Sequence, residues 1–236
     1  MAIAHVQHDL YDVAADGTLS FNVTHPGGSN VLLVVTLAWN KSWADSLDSE
    51  LYAAGSGTFI GEHHVTNTKI IRQTVWPNPT AGTNAIAFSA SSGNANTAIV
   101  AIADWFTGVD QTTPVVGPNT FDPLSGAWTT PSHTALTAGS DERLFMSTVS
   151  DNAGLTWPAG GTSVTVLTSR GHDTGGSACS ANSGYTTLDG YDTIEYTSAI
   201  LANWASMAFV INAVVAGPVT YVPGPYNLRR RGRMAA

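Results

Sequence analysis

One cysteine in 236 residues, Cys179, leaves no partner for an intrachain disulfide, so the covalent staples that hold small secreted domains together are excluded. Charge is scarce as well. Asp, Glu, Lys and Arg make up 11% of the chain, well under the roughly 25% of an ordinary soluble domain, and solubility falls instead to Ser, Thr, Asn and Gly. Long apolar runs are missing: the longest, Val31 to Trp39, is about half of what a membrane-crossing helix needs. The first residues, with His5, His8 and Asp9 among them, hold no apolar stretch of signal-peptide length. The chain is therefore expected to be made in the cytoplasm, to stay soluble and to have no membrane partner. Helical periodicity is lacking too, since no sustained window repeats apolar positions at i, i+3 and i+4.

What remains is the rhythm of strands. Apolar residues at 43% suffice for a sizeable core. Thr18 to Val23 alternates with period two, and Ala15-Asp16-Gly17 before it is a hairpin signal that pairs it with Val6 to Val13. Val31 to Trp39 is almost continuously apolar, as a strand covered on both faces must be. From Asn40 to Asn67 the pattern weakens to long loops around short strands at Ser49 to Ala53 and Thr58 to His63. Lys69 to Trp76 and Asn84 to Phe88 flank a Pro/Gly turn, and Ile99, Val100 and Ile102 make Thr97 to Phe106 a strand despite its alanines. The second half continues with strands at Trp128 to Leu136, Leu144 to Ser150, Val164 to Ser169, Thr193 to Tyr196 and Ser206 to Ala213, with a Gly/Ser/Thr-rich loop from Gly171 to Gly190. The expected fold class is all-β, an antiparallel β-sandwich or jelly roll with extended terminal arms. Residues 1–28 read as an N-terminal strand hairpin or arm within the same sandwich, 29–216 as the sandwich domain and 217–236 as a basic C-terminal arm kept extended by Pro218, Pro223 and Pro225.

Four segments, in order, carry a resemblance: Asn30-Val-Leu-Leu-Val-Val-Thr-Leu-Ala-Trp39, Thr74-Val-Trp-Pro-Asn-Pro-Thr-Ala-Gly-Thr-Asn84, Ala103-Asp-Trp-Phe-Thr-Gly-Val-Asp-Gln-Thr-Thr-Pro114 and Trp204-Ala-Ser-Met-Ala-Phe-Val-Ile211. Over about residues 29–213 the chain resembles a β-sandwich domain that recurs in phage virion proteins and in bacterial surface or secreted proteins. The strand ending in Gly-Val-Asp-Gln-Thr-Thr-Pro is the most specific piece. The chain departs from that pattern at Asn40 to Asn67, which stands where the family has a short Gly-turn hairpin. The resemblance implies a non-enzymatic structural or adhesive module and carries over no catalytic residues. On chemistry alone, Asp110 can accept backbone N–H bonds within its own turn, which makes the segment turn-setting.

Charge is unevenly distributed. Four of the nine basic residues, Arg229, Arg230, Arg231 and Arg233, lie within the last eight positions, whereas residues 1–228 set Lys41, Lys69, Arg72, Arg143 and Arg170 against all seventeen carboxylates, a net of −12. An acidic body is repelled by phosphates, so nucleic acid is disfavoured as the main partner of the tail. Docking on an acidic protein surface fits better, because arginine pairs carboxylates in bidentate fashion and Tyr221 and Tyr226 add amphipathic anchors. These six residues are the expected protein interface.

The remaining constellations are weaker. His63 and His64 beside Glu62 alternate faces on a strand and cannot share an ion. Asp45, Asp48 and Glu50 lack the ligand order of a calcium loop and read as solvated acids. His172, Asp173, Ser177 and Cys179 fall in a Gly-rich loop without a nucleophile elbow, and Cys179 reads as an unreactive thiol. Trp39, Trp76, Trp105 and Trp204 belong to the core. Trp43, Trp128 and Trp157 sit beside loop signals and serve as contact anchors or as a glycan platform. The expectation is a virion structural protein, not an enzyme, without cofactor or metal: a capsid decoration, accessory or spike subunit, homo-oligomeric, with other virion proteins as partners. A glycan-binding or tail-tip receptor-binding module is the alternative, and a hydrolase at His172 a third reading.

Overall fold

The computed structural model describes residues 2–15, 18–40, 47–52, 57–65, 69–90, 97–116, 124–128, 132–133, 136, 138–150, 164–172, 179–186, 194–195 and 202–214. No helix occurs among them. The first half comprises β1 (Ala4–Ala15), β2 (Thr18–Thr24), β3 (Leu32–Asn40), β4 (Leu47–Tyr52), β5 (Thr58–Val65), β6 (Lys69–Pro77), β7 (Thr83–Ala90) and β8 (Thr97–Thr107). The second comprises β9 (Leu124–Trp128), β10 (Ser132–His133), β11 (Arg143–Ser150), β12 (Val164–His172), β13 (Cys179–Thr186), β14 (Ile194–Glu195) and β15 (Ala202–Ile211).

The first eight strands behave as one long antiparallel hairpin rolled on itself. β1 pairs with β8, β3 with β6 and β2 with β7. The first two pairs lie side by side in a sheet of order β1-β8-β3-β6-β5, and the third lies in a facing sheet of order β2-β7-β4. This is jelly-roll winding. One strand departs from it, because β5 turns onto β6 at the edge of the larger sheet instead of lying beside β4.

The expected hairpin of β1 and β2 does not form. They lie in different sheets, joined across the layers by the Tyr11 hydroxyl donating to the Asn22 carbonyl at 2.6 Å and by Tyr11 stacking on Phe21 at 3.9 Å. A tight turn favours a hairpin only when the two strands have no better partners, and here β8, with 11 residues against the 7 of β2, offers β1 a longer and more apolar partner.

A second five-stranded antiparallel sheet, order β12-β13-β11-β15-β9, covers the other face of the β1-β8-β3-β6-β5 sheet, which thus becomes the central layer of three. This explains the unbroken apolar run of β3. Leu33, Val35, Leu37 and Trp39 pack toward β2 and β7 with Phe21, Phe88, Ala103 and Trp105, while Leu32 and Val34 pack the opposite way with Phe106, Phe145 and Phe209. Ala38, Val100 and Ile102 join Val149, Ala181 and Met207 on that second face. Burying each large apolar side chain contributes roughly 1.5–3 kcal/mol, so β3 and β8 stabilise both interfaces at once.

Two further segments differ from the sequence-based expectation. Residues 179–186, inside the expected Gly171 to Gly190 loop, form β13 between β11 and β12. Its Ser180, Asn182 and Ser183 are fully buried, so no apolar alternation marks it. Of the expected strand from Trp128 to Leu136, the described residues place Trp128 at the end of β9 and Ser132 and His133 in β10, and these two elements lie in different sheets.

The connection leaving β8 ties the central layer to the second half. Asp110 Oδ1 accepts the amides of Thr112 at 2.7 Å and Thr113 at 3.1 Å, the turn-setting role its position implies. Around it, the Val109 amide donates to the Asn30 carbonyl and the Asp110 amide to that of Asn212. The Asn212 side chain donates to the Thr113 carbonyl at 2.6 Å. The turn is clasped between the start of β3 and the end of β15.

Candidate functional site

On a regular strand, residues three apart point to opposite faces. His5 and His8 escape this because β1 carries a bulge: His5 stands opposite Phe106 and Gln7 opposite Trp105, so Val6 is an extra residue, 45% exposed. The bulge shifts the parity of the rest of the strand and brings both imidazoles to the face that meets the β11–β13 layer. His8 then sits opposite Asp104 of β8. Asp104 continues the inward-facing series of Val100, Ile102 and Phe106, which puts a carboxylate in the interior with 0% exposure, while the His5 and His8 side chains keep 10% and 13%.

One carboxylate oxygen serves both rings. Asp104 Oδ1 lies 2.7 Å from His8 Nδ1 and 3.2 Å from His5 Nε2. Burial alone would push the Asp104 carboxyl up, but hydrogen bonds from His5 and His8 and the attraction of the two imidazoles outweigh it and hold the group below the ordinary carboxylate value. Asp104 Oδ2 is buried and has no hydrogen-bond partner among the described residues. The His5 ring stacks on Tyr185 of β13 at 5.2 Å and 23° and meets the edge of Phe106 at 5.1 Å. One side of the cluster is thus walled by the covering sheet and the other opens at the edge strand β1. The imidazole nitrogens and the carboxylate, three groups of metal-ligating type, have candidate ligand atoms all within 4.8 Å of one another.

Sequence reasoning missed this cluster. His-x-x-His on a strand reads as two faces, and Asp104 lies 99 residues beyond His5. The signal that was present is Asp104 itself, one carboxylate in the middle of an otherwise apolar core strand, which is the informative kind of exception.

Of the residues singled out from the sequence, Trp43, Trp157, Tyr221, Tyr226, Arg229, Arg230, Arg231 and Arg233 lie outside the described residues. Trp128 ends β9, opposite Ala202 of β15, with its side chain outside the description. His172 and Cys179 face each other as the last residue of β12 and the first of β13, with Asp173 and Ser177 outside the described residues. Asp48 and Glu50 belong to β4, which overlaps the short strand expected at Ser49 to Ala53 and begins two residues earlier, with a register shift between Leu47 and Ser49, while Asp45 lies outside the described residues. Glu62 pairs with Arg72 of β6 at 3.7 Å. Comparison with protein-family models, with curated proteins and with solved structures returns no match to this chain.

Proposed function

We propose that this chain is a non-enzymatic structural subunit of a phage or phage-like particle, a decoration, accessory or spike subunit that docks on a neighbouring acidic surface through its basic arm. The observation that carries the reading is the division of charge between a body of net −12 and a terminal segment with four arginines and no acid. Such a segment is attracted to an acidic protein surface, its own kind included, and the low overall charge reduces repulsion between packed copies. The jelly-roll winding supports the reading as a scaffold, being one that viral capsid and lectin domains share. Repetition on a symmetric lattice multiplies a modest contact per arm into firm attachment.

The test is a chain ending at Ala216, compared with the full chain for incorporation into particles and for size by light scattering. Loss of incorporation or assembly, with the β-sheet circular dichroism unchanged, supports the reading. A truncated chain that still incorporates and assembles like the full one overturns it. Glycan binding that survives truncation and is lost in Trp43→Ala, Trp128→Ala or Trp157→Ala would overturn it in favour of a receptor-binding module.

A further inference from the structure

We propose that His5, His8 and Asp104 form a binding site for one divalent transition-metal ion of the zinc class, which pins the edge strand β1 to β8. Two imidazoles and a carboxylate are the donor set that first-row divalent ions such as zinc, cobalt and nickel accept, in contrast to the all-oxygen shells of calcium and magnesium. The three groups converge only because of the bulge at Val6. A tetrahedral ion with bonds of about 2.1 Å holds neighbouring ligand atoms about 3.4 Å apart. The His8 and His5 nitrogens stand 2.7 and 3.2 Å from Asp104 Oδ1, so these two separations open by less than about 1 Å. The candidate ligand atoms all lie within 4.8 Å of one another, so the separation of the two imidazoles closes by at most about 1.4 Å.

A second observation points the same way. A fully buried carboxylate with one oxygen unpartnered carries unused capacity for a cation. To bind, His8 Nδ1 and His5 Nε2 must each present a lone pair in place of any proton directed at Asp104, so binding is expected to strengthen as the pH rises. A path to solvent exists at β1, where the histidine side chains keep 10% and 13% exposure. The fourth position falls to water from that side. The walls of Tyr185 and Phe106 and the enclosed carboxylate make this a tether. The proposal stands independently of the particle reading.

The experiment uses the full chain without a histidine tag, stripped with chelator and titrated with zinc(II) in a calorimeter. Cobalt(II) is added in parallel to read visible d–d absorption. The expected result is one ion per chain, a raised melting temperature with zinc, and a weakening of more than about 100-fold in His8→Ala and in His5→Ala, since even outer partners of ligands are worth about 10–100-fold. His5 and His8 lie near the surface of an edge strand, so both variants should fold, and circular dichroism checks that they do. The double variant His63→Ala, His64→Ala keeps the ion and excludes the histidine pair on β5, at the opposite edge of the sheet, as its holder. Absence of zinc binding in the wild-type chain, or wild-type affinity in folded His5→Ala or His8→Ala, overturns the proposal.

Discussion

Asp104 concentrates the residue-scale chemistry. A buried carboxylate accepting two imidazole N–H bonds stabilises the fold only while ionised. Its folded value lies below its unfolded value of about 3.9. The contribution is therefore complete above about pH 4 and is lost as the pH falls through the lower folded value. In chelator-treated protein, urea unfolding measured from pH 5 downward should show the wild type losing stability more steeply than Asp104→Asn. At neutral pH the same substitution should cost roughly 1.5–3 kcal/mol, the worth of hydrogen bonds to a charged group. Equal slopes would mean that the carboxylate does not titrate with folding. Gly108 offers a second prediction. Its φ of +77° suits glycine, and a Cβ there would stand 2.6 Å from the Ala2 carbonyl oxygen. Gly108→Ala should cost about 1–3 kcal/mol in chemical denaturation and displace the residues leading into β1.

Among the elements, β3 and β8 are shared by both interfaces, and this sets how the layers fail. Phe21 packs on one side of the central sheet and Phe209 on the other. Phe21→Ala and Phe209→Ala should each remove about 3–5 kcal/mol and shift one common melting transition, because neither outer sheet can leave without uncovering strands that the other needs. Two separated transitions in calorimetry would show the layers to be independent. The same elements explain what was legible in the sequence. β3, β6, β8, β11 and β15 are apolar enough to declare themselves, and the doubly covered β3 announced a central layer. β13 was hidden because Ser180, Asn182 and Ser183 fill a buried strand with small polar groups. The wrong β1–β2 hairpin and the missed histidine cluster share one cause, pairing of β1 with a strand about ninety residues away. The cluster depends in addition on a one-residue bulge, and its one local trace is the carboxylate of Asp104 in an apolar strand.

For the whole molecule, the net −12 of residues 1–228 against the four arginines of residues 229–236 predicts that an assembly joined through the arginine segment, as proposed, is sensitive to salt. Screening length shrinks from about 10 Å at 0.1 M to about 3 Å at 1 M. Assemblies held by the arginine segment should therefore dissociate over this range by light scattering, whereas unchanged size in both would place the contact on apolar surface instead. The winding of the first eight strands also bears on how the chain comes into being. β1 leaves a ribosome before β8, its partner in the sheet, and His5 must await Asp104, 99 residues later. At roughly 5–20 residues per second this leaves a nascent edge unclosed for about 5–20 s. Over that interval the strand's backbone groups depend on water or a chaperone. The rate at which the N-terminal strand becomes protected from protease is then set by the synthesis of β8 and not by any event within β1.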